Sequence, residues 1–199
     1  MKKQLVFINL KKANVLSIAM FIIPLIIGGI LKFTLFDSIA YGLGYWDYLI
    51  VLVACPVFFA LHEGLHALAF LIGGAPKKSI KFGAIPKKMI LYCTTSEPVT
   101  PKAYKISLLT PLVALGVVPF IASTAILSFP YLILFSMMIS GGAGDVMMFY
   151  KLSKLEKVKL VLDHPKAPAF YALYNDDDCP DDFIEYTECD EEKVNEQIG

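Results

Sequence analysis

Long apolar stretches alternate with short polar ones along this chain, and the polar ones carry nearly all the charge. Residues 15–36, 48–72, 106–129 and 132–150 each approach the roughly 20 apolar residues that a helix needs to cross a bilayer. The pattern predicts a mainly α fold: a polytopic membrane protein with about four transmembrane helices. The first stretch is too long for the apolar region of a signal peptide, and no small-x-small cleavage site follows it, so it reads as an uncleaved span. Pro24 and Gly28-Gly29 are expected to bend it, and Lys32 near its far end to snorkel to the interface. Pro111 and Pro119 leave the start of the third span open between 106 and 111. The SGGAGD run, Ser140 to Asp145, interrupts the fourth.

The polar segments have weaker patterns of their own. Between the first two spans, Tyr41, Tyr45 and Trp46 suit a membrane–water boundary. Ser79 to Gly83 alternates, Met89 to Cys93 is a second strand candidate, and Pro86-Lys87-Lys88 would form the turn of a small β-hairpin. Thr100-Pro101 is a helix start, a capping hydroxyl followed by proline in the first turn. Ser128 to Tyr131 is a tight connection. Val158, Leu160 and Leu162 alternate, which predicts a short strand in a short segment after the fourth span. The expected division is a membrane-embedded domain over 1–172 and an acidic tail over 173–199.

Charge adds orientation. All 18 basic residues are lysine, and every one except Lys32 lies before the first span, between the second and third, or after the fourth. Four spans put those three segments on one side, and the positive-inside rule makes that side cytoplasmic, with both termini there and the cell membrane as the location. Eleven of the 18 acids lie from Asp176 onward, in a segment expected to be flexible. A chain without arginine, and without a basic stripe interleaved with aromatics, is poorly equipped for nucleic acid. Cys55, Cys93, Cys179 and Cys189 form no C-x-x-C pair, so neither a zinc ribbon nor a redox motif is present.

The second span holds the chemistry. It reads HEGLH at 62–66, and residues four apart lie on one helix face, so His62 and His66 can reach one metal ion. Glu63 can then reach a water on that ion. Once the loops are set aside, the acids within the spans are Glu63 and Asp145 and the histidines are His62 and His66. Ionisable groups in lipid are costly unless partnered, and a shared Zn2+ would partner all four. Asp145 is the favoured third ligand by depth. His164, past the membrane end in DHPKAP, is the alternative. Other readings are plainer: Asp145 as the cap of a broken helix, the nearby glycines as packing contacts, the lysines as a solvated surface.

HEGLHALAF, then KFG at 81–83, TP at 110–111, GGAGD at 141–145 and a downstream DHP resemble the bacterial family of zincin membrane peptidases of unassigned function. These are similar in plan to site-2-type intramembrane metalloproteases. The resemblance implies zinc dependence and proteolysis. Site-2-type enzymes place a third-ligand aspartate on a later span in a motif ending D-G. Asp145 occupies that place, but Val146 replaces the glycine and the N-x-x-P lead-in is absent.

The expected function is a zinc-dependent membrane endopeptidase acting on a peptide or membrane-protein substrate in or near the bilayer, with His62, His66 and Asp145 on the metal and Glu63 as the base. The alternatives are a non-catalytic metal-binding partner or regulator of another protein, which would not need Glu63, and a metal transporter or sensor, which would want more than one ligand cluster.

Overall fold

The computed structural model describes residues 1–35, 45–85, 90–126, 129–165, 167–176 and 179–180. The boundary aromatic Tyr41, the Pro86-Lys87-Lys88 turn, Ser128 and nearly all of the acidic segment lie outside these residues.

Four helical spans make up the bulk of the protein. They are α1 (Leu10–Leu35), α2 (Tyr45–Ile72), a third that runs from α3 (Pro101–Pro111) through a π-helical stretch (Leu112–Val117) into α4 (Val118–Ile126), and a fourth made of α5 (Phe129–Gly141) and α6 (Ala143–Lys154). All four are long and apolar enough to cross a membrane. On α1, Ile18, Ile22, Ile26 and Ile30 recur every four residues, and each is about half exposed. Such a stripe is untenable in water and suits lipid. The mainly helical, four-span expectation is borne out.

The strands gather at one end of the bundle. The hairpin is β2 (Ile80–Ile85) with β3 (Ile90–Thr95), antiparallel, with Phe82 opposite Cys93. A three-stranded sheet has the order β1 (Lys2–Phe7), β5 (Ala169–Tyr174), β4 (Leu160–Asp163). Val99 bridges to Val161, which joins the sheet to the approach to α3. The first and last strands are additions to the sequence reading. The lysine-bearing start of the chain is not a bare flank but a strand paired from Lys2–Tyr174 to Phe7–Ala169.

The sheet end contains an aromatic core. Tyr104 on α3 lies between Phe70 of α2 and Phe170 of β5, with ring centroids 5.9 and 5.6 Å away. Leu152, Val161, Ala172 and Tyr174 close around it. A smaller cluster sits within the bundle, where Phe58 meets Phe135 edge-on at 5.8 Å. Small residues allow the close helix approaches. A side chain at Gly28 would overlap Leu132 and Phe120, and one at Gly73 would overlap Ala103.

One expectation changes and one holds. Lys32 is buried against the bundle, and its Nζ donates to the Ser123 carbonyl of α4 at 3.4 Å. The helix start at Thr100-Pro101 is borne out: Thr100 caps the helix by accepting from the Ala103 N–H at 3.2 Å. The third helix therefore begins several residues before the apolar stretch at 106 and carries Lys102 and Lys105 in its first two turns.

Candidate metal centre

Each side chain of the site is placed by a local feature of the sequence. α2 runs unbroken through HEGLH, so His62 and His66 lie one turn apart on one face. Their rings are 4.9 Å apart and steeply inclined, and both are buried. The fourth span stops at Gly141 and restarts at Ala143. Gly142 is packed so closely on Leu112 that a Cβ there would lie 3.1 Å from Leu112 Cδ1. Asp145 therefore falls in the first turn of a new helix, where the dipole favours a carboxylate. It makes no cap, and its Oδ2 lies 3.2 Å from His62 Nε2 and 3.5 Å from His66 Nε2.

The third span supplies an acceptor. Proline at 111 has no N–H to give the carbonyl four residues earlier, so the Ser107 carbonyl lacks its usual helical donor. His66 Nδ1 donates to that oxygen at 2.9 Å. A carbonyl can only accept, so a proton sits on Nδ1, and Nε2, turned towards Asp145, is the nitrogen placed to ligate a metal. The Ser107 hydroxyl donates to the Tyr104 carbonyl at 2.8 Å, which stiffens the same turn.

One ligand atom each from His62, His66 and Asp145 can be chosen so that all three lie within 4.8 Å of one another. Ligands about 2.0–2.1 Å from a tetrahedral zinc lie about 3.3–3.4 Å apart, and the two histidine–aspartate separations match that edge. Two imidazoles and one carboxylate fit zinc. Among the described residues His164 does not join the group. Its Nδ1 accepts from the Ala167 N–H at 3.0 Å, and its ring lies against Tyr171. Between the two candidates for the third position, the geometry favours Asp145.

The group opens into a cavity of about 330 Å³. Glu63 lines it next to the histidines, and its carboxylate accepts from the Cys93 N–H of β3. Leu91 and Thr94 of β3, and Asn14 and Ser17 of α1, also line it. A second cavity of about 300 Å³, between α2 and α3, has no histidine or acid in its lining and so no comparable chemistry.

Residues 55–159, from the middle of α2 to just before β4, match the family described as "Putative zincin peptidase". The chain belongs to that family. The matched stretch holds His62, Glu63, His66 and Asp145 together, and the family's description points to a zinc peptidase. No curated protein and no solved structure matches the chain.

Sequence reasoning missed the zincin site's supporting groups. Asp163, at the end of β4, lines the cavity and accepts from Tyr104 Oη at 2.9 Å and from the Thr94 side chain. Burial pushes its carboxyl up to about 7, although the hydrogen bonds from Tyr104 and Thr94 pull the other way. Burial, and then the negative charges of Glu63 and Asp163, push the Cys93 thiol up to about 12. A main-chain acceptor such as Ser107 leaves no side-chain signal; the signal available was Pro111, four residues on.

Proposed function

We propose that the protein is a zinc-dependent, membrane-embedded endopeptidase, with the lysine-rich sheet end on the cytoplasmic side of the cell membrane. The observation that carries this reading is the approach of the Asp145 carboxylate to both imidazoles of HEGLH, with Glu63 beside them in one cavity. His62, His66 and Asp145 would hold the metal. When bound, zinc supplies Lewis acidity, which acidifies water and polarises a scissile carbonyl.

The chain's own groups do the rest. Ser107 fixes the ring of His66 through Nδ1, so that Nε2 faces the metal position. Glu63, held by the Cys93 amide, takes the proton of the attacking water and passes it to the leaving nitrogen. The surrounding apolar helices restrict bulk water. Among the described residues β3 has only β2 as a strand neighbour, so its other edge, along the cavity, supports pairing with an extended peptide. The lysine distribution supports the orientation.

The test is Glu63→Gln in purified, zinc-loaded protein. Expected is one zinc per chain, as in the wild type, with peptide cleavage lowered roughly 10²–10⁴-fold. Undiminished cleavage rejects the assignment.

A further inference from the structure

The DHP run remains unexplained once His164 is excluded from the metal group. Asp163 and His164 both line the cavity, and Asp163 is the one whose side chain is held by groups from other elements. It is half-buried, and a carboxyl partly withdrawn from water is costly unless donors surround it. Its side-chain donors come from two separate elements, Tyr104 of α3 and Thr94 of β3. Both partners are themselves buried, Tyr104 fully.

Both lead back to the zincin site by short paths. Tyr104 lies in the α3 turn whose Ser107 carbonyl holds His66. Thr94 follows Cys93, whose N–H holds Glu63. Successive residues of a strand face opposite ways, so a one-residue slip of β3 would turn the Cys93 amide away from Glu63. The hairpin has only two strands, and a two-stranded hairpin is marginal by itself. Something beyond its own ladder has to fix β3 against the helices.

We infer that Asp163 is a positioning residue for the active site: it ties β3 to α3 through Thr94 and Tyr104, and so keeps the Cys93 amide on the Glu63 carboxylate. The catalytic half of this inference rests on the peptidase reading; the structural half does not. Asp163 makes no contact with the metal group and acts through β3 and α3. It lies beyond the stretch matched to the family, at the tip of a strand whose partner β5 is also outside it.

The experiment uses the full-length, zinc-loaded chain with Cys93 as its sole thiol (Cys55→Ser, Cys179→Ser, Cys189→Ser). Asp163→Ala, Asp163→Asn and Thr94→Val are compared with this parent in two assays: the rate of Cys93 alkylation by a small maleimide, and kcat and KM for a peptide the parent cleaves. Cys93 is buried in the intact protein. Expected for Asp163→Ala are alkylation about tenfold faster, unchanged zinc stoichiometry, kcat about tenfold lower and KM within about twofold. Thr94→Val should move both readouts the same way by less. Asp163→Asn, which keeps one acceptor oxygen, should fall nearer the parent.

Unchanged alkylation in both Asp163→Ala and Thr94→Val overturns the inference. So does faster alkylation with kcat intact. A raised KM at constant kcat would make Asp163 a substrate contact instead, and zinc lost in step with activity would make it merely structural. If Asp163→Ala does not fold, Thr94→Val decides. If the parent cleaves no peptide, the peptidase reading fails separately, and the alkylation rates alone support or overturn the tether.

Discussion

The two sides of the metal group are built by opposite means. On one side α2 passes through HEGLH without a break and presents two imidazoles by periodicity alone. On the other, the acid and the acceptor come from interruptions and the third contribution from the edge of a strand. The acid comes from a helix restarted after Gly142, and the acceptor for His66 from a carbonyl left without a helical donor by Pro111. The amide for Glu63 comes from a strand. Regular structure repeats a side chain's direction but satisfies its own main chain, so it has few main-chain groups to lend. Breaks have free groups but no built-in spacing, and packing has to place them. Gly142 against Leu112, and Gly116 against Ile139, do this where the broken spans meet.

The largest effect is expected at the aspartate. Asp145→Ala should lose zinc on dialysis and cleavage with it, whereas Glu63→Gln keeps the metal; metal analysis of the two side by side separates holding from catalysis. Zinc retained at full stoichiometry by Asp145→Ala would remove it from the ligand set. The next effect is smaller and runs through the main chain. Pro111→Ala restores an N–H that competes with His66 for the Ser107 carbonyl, and zinc affinity measured against a competing chelator should fall about 10–100-fold. An unchanged affinity would show that the proline's missing donor is incidental.

A third effect concerns Asp163, the half-buried acid at the end of β4. Asp163 keeps its proton in the folded chain up to about pH 7, against an ordinary value of 3.8. Between those values the folded state binds the proton and the unfolded state does not. Its contribution to stability is therefore full below about pH 4, is lost as pH rises towards about 7, and is flat above. Melting temperatures from pH 4 to 8 should show this falling limb in the wild type and a shallower one in Asp163→Asn; identical limbs would contradict it. The smallest effect belongs to the regular side. A Cβ at Gly64 meets nothing within 4 Å, so Gly64→Ala should leave cleavage unchanged and shift stability by no more than about 1 kcal/mol, upward. A clear loss of activity would mean that the outer face of the motif helix is also in use.

The same contrast explains what could be read in advance. The spans, the HEGLH face and Asp145 were legible because lipid makes polar residues rare, and each one stands out. β4 and the hairpin were legible from short alternations. β5 was not: AFYALY is buried at almost every position, so no period of two appears. β1 was hidden by its lysines and by a partner at the far end of the chain. Ser107 was invisible because its contribution is main chain, and Asp163 because a single acid past a membrane end resembles any solvated loop residue until Tyr104 and Thr94 are seen around it.

The pairing of the first strand with the last sets an order of events during synthesis. β1 leaves the ribosome before the four helical spans and stays without its partner until Tyr174 has been made, about ten seconds or more at the usual 5–20 residues per second. By the time Tyr174 itself has emerged, the four helical spans and Asp145 have emerged before it. Closure of the sheet is thus a late step, and a nascent chain halted before β5 carries HEGLH while its leading strand is still unmatched.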